Sequence, residues 1–310
     1  MNILITGGLG HIGSKLIREY ANKEVVSEIR VLDNFLTQRY CSLFDLPKNK
    51  KYVFIEGDIN NEKDLTEAMK DVEIVIHLAS ITDAPNTIKN PEETEKVNLI
   101  GTKKVIETAI KMKIDKLVFP STTSVYGEAE NEVDENTTDL KPATPYAETK
   151  LAAERLLQKA YTENGLKTYI LRFGTIFGKS IGMRFQTAVN KFTYLACMNK
   201  PVTVWENALD QKRPYLGLND AIRAIEFAIE NCQPGEVYNV LTANHTVREI
   251  IETIKLFKPQ LEIKLVDSPI LNQKSYTVSN EKICNLGFQF KDDLSKEIEE
   301  TTILFEGIVN

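Results

Sequence analysis

Residues 2–22 read NILITGGLGHIGSKLIREYAN. A short aliphatic run enters a glycine-rich turn, and an amphipathic helical pattern leaves it. The chain has only 15 glycines, yet Gly7, Gly8, Gly10 and Gly13 all fall within TGGLGHIG (6–13). Glycine permits a tight turn and close approach of backbone to a ligand. The free N–H groups and positive dipole end of the following helix favour an anion such as a pyrophosphate. The spacing fits both GxGxxG (Gly8, Gly10, Gly13) and GxxGxxG (Gly7, Gly10, Gly13), so the turn implies a dinucleotide without naming the type of enzyme. Taken alone, it could also be a tight strand-to-helix connection.

The same alternation continues outward. Apolar runs recur at 28–33 (EIRVLD), 51–58 (KYVFIEGD), 73–79 (EIVIHLA), 115–121 (DKLVFPS) and 167–173 (KTYILRF), with helical patterns between them, notably at 92–112 and 146–164. Strands that are apolar on both faces and separated by helices imply an α/β fold with a doubly wound parallel sheet. Beyond residue 175 the alternation is less regular, which suggests a smaller C-terminal lobe. The expected division is 1–175 with a return segment 213–236 for the dinucleotide domain, and 176–212 with 237–310 for the substrate lobe.

Asp33 ends the second run twenty residues after Gly13. An acid there accepts both ribose hydroxyls of an adenosine and repels a 2′-phosphate, which favours NAD over NADP. Asp-Asn (33–34) could instead cap a turn, and nearby Arg39 leaves some dual specificity open. Asp58 could accept an adenine amino group, though an acid at a strand end is common.

Composition bounds the rest. A formal net charge of −6 and a pI near 5.4 argue against a nucleic-acid binder relying on a broad basic surface. Cys41, Cys197, Cys232 and Cys284 are far apart, with three histidines in the chain, so neither a metal site nor a disulfide framework is expected. No apolar run reaches membrane-spanning length, and the start MNILITGG lacks a leader pattern, so a cytoplasmic protein is expected.

PYAETK (145–150) places Tyr146 and Lys150 four residues apart on a helix, hence on one face. A lysine beside a tyrosine stabilises tyrosinate and lowers the phenol from about 10. The phenolate can then take a proton from an alcohol as hydride leaves. YxxxK alone is a weak pattern, but it gains force after the glycine turn and Asp33.

With these residues in place, the chain resembles the extended short-chain dehydrogenase/reductase family, in its NAD-dependent epimerase/dehydratase branch acting on nucleotide sugars. The resemblance rests on TGGLGHIG (6–13), Asp33, GDI (57–59), HLAS (77–80), NLIGT (98–102), STTSVYG (121–127), PYAETKLAAE (145–154) and RFGTIFG (172–178). It implies a Rossmann-type sheet with NAD held by Gly7, Gly10, His11, Ile12, Gly13, Asp33, Asn34, Asp58, Ile59, Leu78, Ala79, Ser80, Asn98, Tyr146 and Lys150. It also implies catalysis by Tyr146 as acid and base, Lys150 as its partner and Thr122 as the hydroxyl that orients the substrate. Thr82, Thr123, Ser124, Thr175, Arg184 and Arg213 become candidate contacts to a nucleotide sugar.

Dehydratases and decarboxylases of this branch usually carry an acid at position 123 or 124, where this chain has Thr123 and Ser124. Many epimerases have asparagine where it has Thr175, and RPYLGL (213–218) is altered from the usual stretch, although Arg213 remains. A solvated surface position is the simpler account of Arg184 and Lys191, and core packing that of His77, Phe192 and Trp205. The resemblance therefore implies an NAD-dependent nucleotide-sugar epimerase acting at C4 through a keto intermediate, in a homodimer paired through helices 92–112 and 146–164. Alternatives are a keto-sugar reductase or dehydrogenase, a dehydratase, and an NAD-sensing protein on the same fold.

Overall fold

The computed structural model describes residues 1–127, 129, 131–267 and 276–308, without the side chains of residues 84–86. Among the described residues there are twelve strands: β1 (Asn2–Thr6), β2 (Glu28–Asp33), β3 (Lys51–Glu56), β4 (Ile74–His77), β5 (Lys116–Thr122), β6 (Lys167–Phe173), β7 (Thr175–Phe177), β8 (Val202–Trp205), β9 (Lys212–Gly217), β10 (Val237–Val240), β11 (Ala243–Thr246) and β12 (Ile263–Val266). Seven of them form one parallel sheet in the order β10-β6-β5-β4-β1-β2-β3.

Strand order reverses between β1 and β4. The crevice beyond the carboxyl ends of these strands is where a doubly wound sheet takes its ligand. Helices cover both faces. His11–Ala21 and Leu218–Asn231 close one side over Ile3, Ile5, Leu16, Ile17 and Ile225. Thr102–Lys111 and Pro145–Asn164 close the other over Leu4, Val75, Val105, Leu117 and Leu157. Burial on both faces explains why these strands read as unbroken apolar runs rather than as alternation.

The helical pattern at 92–112 is three pieces: α-helix Pro91–Glu95, a wider π-type turn Lys96–Gly101, and α-helix Thr102–Lys111. The wide segment carries Asn98, one of the expected site residues.

The second lobe contains a three-stranded sheet, β11-β9-β7, and a two-stranded one, β12-β8, around a core that includes Phe177, Phe192, Tyr215, Ile250 and Ile298. The division expected from the sequence needs correcting in two places. Residues 237–240, assigned there to the substrate lobe, are β10 and pair with β6 as the edge of the main sheet. Most of β9, placed in the return segment, pairs with β7 and β11 instead. Both strands are short and carry no periodicity that would show which sheet they join.

Candidate active site

The glycine turn closes against its neighbours with little spare room. Gly7 has φ +63, donates its N–H to the Leu32 carbonyl at 2.8 Å, and would put a Cβ 2.6 Å from the backbone of Ala79, just after β4. A Cβ on Gly13 would overlap the Gly8 carbonyl. The helix His11–Ala21 then begins with Gly10 as its cap residue. Among the described residues no side chain caps this end and no acid lies in its first turn, so its positive end remains available to an anion. Ile12, one residue in, packs against the core.

Asp33 accepts the Leu9 and Phe35 N–H groups, each at 3.0 Å. Burial raises its carboxyl above the ordinary value, opposed by those two hydrogen bonds and by Arg39. Asn34 is exposed and accepts the Leu36 N–H at 3.1 Å. Asp58 accepts both the Asn60 N–H (2.7 Å) and the Asn60 amide (3.2 Å), while Ile59 is buried.

Across the strand-order reversal, the Leu78 and Ala79 N–H groups donate to the Thr6 carbonyl (3.0 Å) and hydroxyl (3.4 Å). Buried Asn98 accepts the Ile81 N–H at 2.8 Å and the Ser80 hydroxyl at 3.0 Å, and its amide donates to the Ile81 carbonyl at 2.9 Å. Asn98 thus fixes the backbone at 80–81. His77 bridges the Thr6 and Thr102 hydroxyls at 2.7 and 3.0 Å, and burial lowers its imidazole to about 3. It is a neutral packing residue. His11 is also buried, which lowers it to about 4, and its Nε2 meets the Gly178 carbonyl at 2.9 Å, tying the glycine turn to the second lobe.

At the end of β5 each hydroxyl of STTS (121–124) has its own partner. Ser121 donates to Glu154. Thr122 donates to the Ser124 hydroxyl at 3.1 Å and accepts the Ser124 N–H at 3.1 Å, and it lies near enough to Tyr146 to lower that phenol. Thr123 donates to the Phe173 carbonyl at 3.3 Å. Gly127 ends this turn at φ +65, with the Lys141 carbonyl where a Cβ would be.

Thr144 caps the next helix, accepting the Ala147 N–H at 3.2 Å, and Pro145 opens its first turn. Tyr146 and Lys150 follow one turn apart. Burial raises the Tyr146 phenol, while Arg184 and Thr122 lower it. Lys150 is buried, donates to the Pro120 carbonyl at 2.8 Å and lies 4.3 Å from the centre of the Phe119 ring. Desolvation lowers its ammonium to about 7, against the pull of Glu154.

Arg184 is therefore more than a solvated surface charge. Its segment is clamped by buried Asn190, which accepts the Gly178 N–H at 3.1 Å and donates to the Arg184 carbonyl at 2.9 Å. Gly182 lies over the glycine turn, its N–H on the Ser14 hydroxyl at 3.0 Å. The Arg184 guanidinium reaches Thr82, at 2.5 Å to the hydroxyl and 2.9 Å to the carbonyl. Tyr146 and Asp83 oppose the effect of its burial. Lys191 is exposed, Phe192 lies in the lobe core, and Trp205 is partly buried.

Thr175 begins β7 beside Tyr215, and Arg213 sits 5.2 Å from the centre of the Tyr276 ring. Tyr276 in turn donates to the Thr123 carbonyl at 3.4 Å. Arg213 is linked to the hydroxyl run through that ring. Sequence reasoning missed Asn190, Gly182 and the buried Glu154–Arg172 pair. For Glu154 a signal was present, because it repeats the four-residue spacing of Tyr146 and Lys150.

A glycine cradle at a strand-order reversal, an acid at the end of β2, and a tyrosine–threonine pair beside two cations define a dinucleotide-dependent enzyme of alcohol and carbonyl chemistry. The chain belongs to the NAD dependent epimerase/dehydratase family, whose pattern matches residues 3–240. It is 27% identical to dTDP-D-glucose 4,6-dehydratase of Bos taurus over 96% of this chain and 87% of that protein. It is 30% identical to a putative UDP-glucose 4-epimerase of Methanocaldococcus jannaschii over 82% and 81%. In structure it matches UDP-glucuronic acid 4-epimerase from Bacillus cereus, solved in complex with NAD, with a TM-score of 0.86 at 25% identity over 99% of this chain and 100% of the other.

Proposed function

We propose that this protein is an NAD-dependent nucleotide-sugar 4-epimerase. The observation that carries the reading is Tyr146 at the start of the helix Pro145–Asn164 near Thr122, the last residue of β5, with Arg184 acting on the phenol. The cradle residues fit NAD, since the turn packed tightly through Gly7 and Gly13 presents the uncapped start of the helix His11–Ala21 to a pyrophosphate, and Asp33 offers a carboxylate at the end of β2. When bound there, NAD would supply the hydride acceptor and donor for the sugar carbon.

The protein's own work is proton transfer and orientation. Thr122 holds the sugar hydroxyl, and Tyr146 takes its proton and later restores it, with Lys150 and Arg184 favouring the charged phenolate. The keto sugar must turn over between the two transfers so that the opposite face is presented. Thr82, Ser124, Thr175, Arg184 and Arg213 are the substrate contacts in this reading, with the second lobe supplying the last three. The Thr123 hydroxyl is committed to the Phe173 carbonyl and contributes through the backbone turn.

A dehydratase is the second reading, favoured by the likeness to dTDP-D-glucose 4,6-dehydratase. Elimination calls for a positioned acid, and Thr123 and Ser124 carry hydroxyls where such an acid is expected. Incubation with NAD and UDP-glucose or UDP-glucuronic acid separates the readings. An isomer of unchanged mass without net formation of NADH is expected. A product lighter by one water would make it a dehydratase, and stoichiometric accumulation of NADH with an oxidised sugar a dehydrogenase.

The assembly proposed is a homodimer. Ile106 and Leu157 are buried within the monomer core and lend no support, but Ile100 and Tyr161 on the flanking helices are 44% and 38% exposed. Light scattering at micromolar concentration should give twice the 35.1 kDa chain mass; a single-chain mass would reject pairing. Four free cysteines and no described helix long and apolar enough to cross a membrane suit a cytoplasmic location, which cell fractionation tests.

A further inference from the structure

Glu154 lies one turn beyond Lys150 and two beyond Tyr146, on the same face of their helix. It is 2% exposed, and each of its contacts ties that helix to the sheet. It grips Arg172 of β6 through Nε at 3.1 Å and Nη2 at 2.7 Å, and it accepts the Ser121 hydroxyl of β5. Ser121 and Arg172 are register partners across β5 and β6. Ser121 also stands between Pro120, whose carbonyl receives Lys150, and Thr122, which lowers the Tyr146 phenol.

We propose that Glu154 is a positioning residue of the reaction centre. It fastens the helix bearing Tyr146 and Lys150 to the strand bearing Thr122, and it sets a buried carboxylate one helical turn from Lys150. The inference rests on the roles given above to Tyr146, Lys150 and Thr122.

The charge balance leads to the same role. Lys150, Glu154 and Arg172 bury two cations and one anion, and a guanidinium does not give up its proton. The group able to shed charge is therefore Lys150. Facing it are Tyr146 and Glu154 from its own helix, neutral His77 from β4, the Phe119 ring and Pro120 carbonyl from β5, and Arg172 of β6 beyond Glu154. Among these described neighbours the anion is Glu154. Neutralising it should let Lys150 lose its proton at lower pH. Removing Arg172 should leave Glu154 to Lys150 alone and hold the proton to higher pH. A purely structural role predicts no such opposition.

The test compares Glu154→Gln and Arg172→Met with wild type, all loaded with NAD. Lys150 is titrated by carbon NMR of protein labelled at lysine Cε, its resonance assigned with Lys150→Arg, and turnover is followed against pH in parallel. Glu154→Gln should lower the Lys150 midpoint by about one pH unit or more, and Arg172→Met should raise it. The basic limb of turnover should follow each. An unchanged midpoint in Glu154→Gln, or movement of both variants in one direction, overturns the proposal. Midpoints that move as expected without the basic limb following keep the hold on Lys150 and overturn instead the catalytic role given to that lysine. Should Glu154→Gln fail to fold, the direction of the Arg172→Met shift decides.

Discussion

Tyr146→Phe should lower turnover by about 100-fold or more while leaving NAD affinity within a factor of about two. The substitution keeps the ring and deletes only the hydroxyl, whose acidity Thr122 and Arg184 raise. Tyr146 follows Thr144 and Pro145, which start the helix without using the tyrosine side chain, so the local fold should persist. The loss falls on the transition state, where the sugar hydroxyl gives up its proton, rather than on ground-state binding. The proton has few alternative destinations. The Thr122 and Ser124 hydroxyls have no useful acidity near neutral pH, and Glu154 is held by Arg172 and Ser121. Steady-state assays with NAD titration on the same preparation decide the matter. A mutant with half of wild-type turnover would remove Tyr146 from the mechanism, and one that had lost NAD would show that the ring shapes the cofactor site.

The sheet was legible because parallel strands buried on both faces leave unbroken apolar runs. EIRVLD and KTYILRF coincide with β2 and β6 residue for residue. The glycine turn was legible for a different reason: four glycines concentrated in eight residues have few explanations other than close backbone approach. The π-type turn at Lys96–Gly101 was not, since a single widened turn of six residues slips the helical repeat by only about one residue, too little to stand out within the pattern at 92–112. Arg184 was visible as a charge and invisible as a neighbour of Tyr146. Its anchor, Thr82, is 102 residues away in sequence, and tertiary folding alone brings them together. Arg172 was the clue that went unread. A guanidinium in an otherwise apolar strand must find an anion, because removing one partner of such a buried pair typically costs about 3–5 kcal/mol.

Gly13→Ala is expected to abolish useful NAD binding, lowering affinity by about 10-fold or more, and to destabilise the protein by about 1–3 kcal/mol through overpacking. Gly13 is not at a positive φ, so backbone strain is not the cause. The cause is space: the added carbon would lie 2.6 Å from the Gly8 carbonyl carbon and Cα, closer still to the carbonyl oxygen. Those atoms are backbone within the turn itself and cannot rotate away as a flexible side chain would. Relief requires the turn and the helix start to separate, which displaces the free N–H groups proposed to meet the pyrophosphate. Gly165→Ala supplies the contrast. Gly165 ends the helix Pro145–Asn164 at φ +73, and nothing lies within 4 Å of its prospective Cβ. Its replacement should cost about 1–2 kcal/mol from the left-handed backbone alone and leave NAD affinity unchanged. Urea unfolding with and without NAD measures both effects, because a ligand bound only to the native state adds stability in proportion to its affinity. If Gly13→Ala keeps the full NAD-dependent stabilisation of the wild type, the turn is a connection between strand and helix and the cofactor site lies elsewhere.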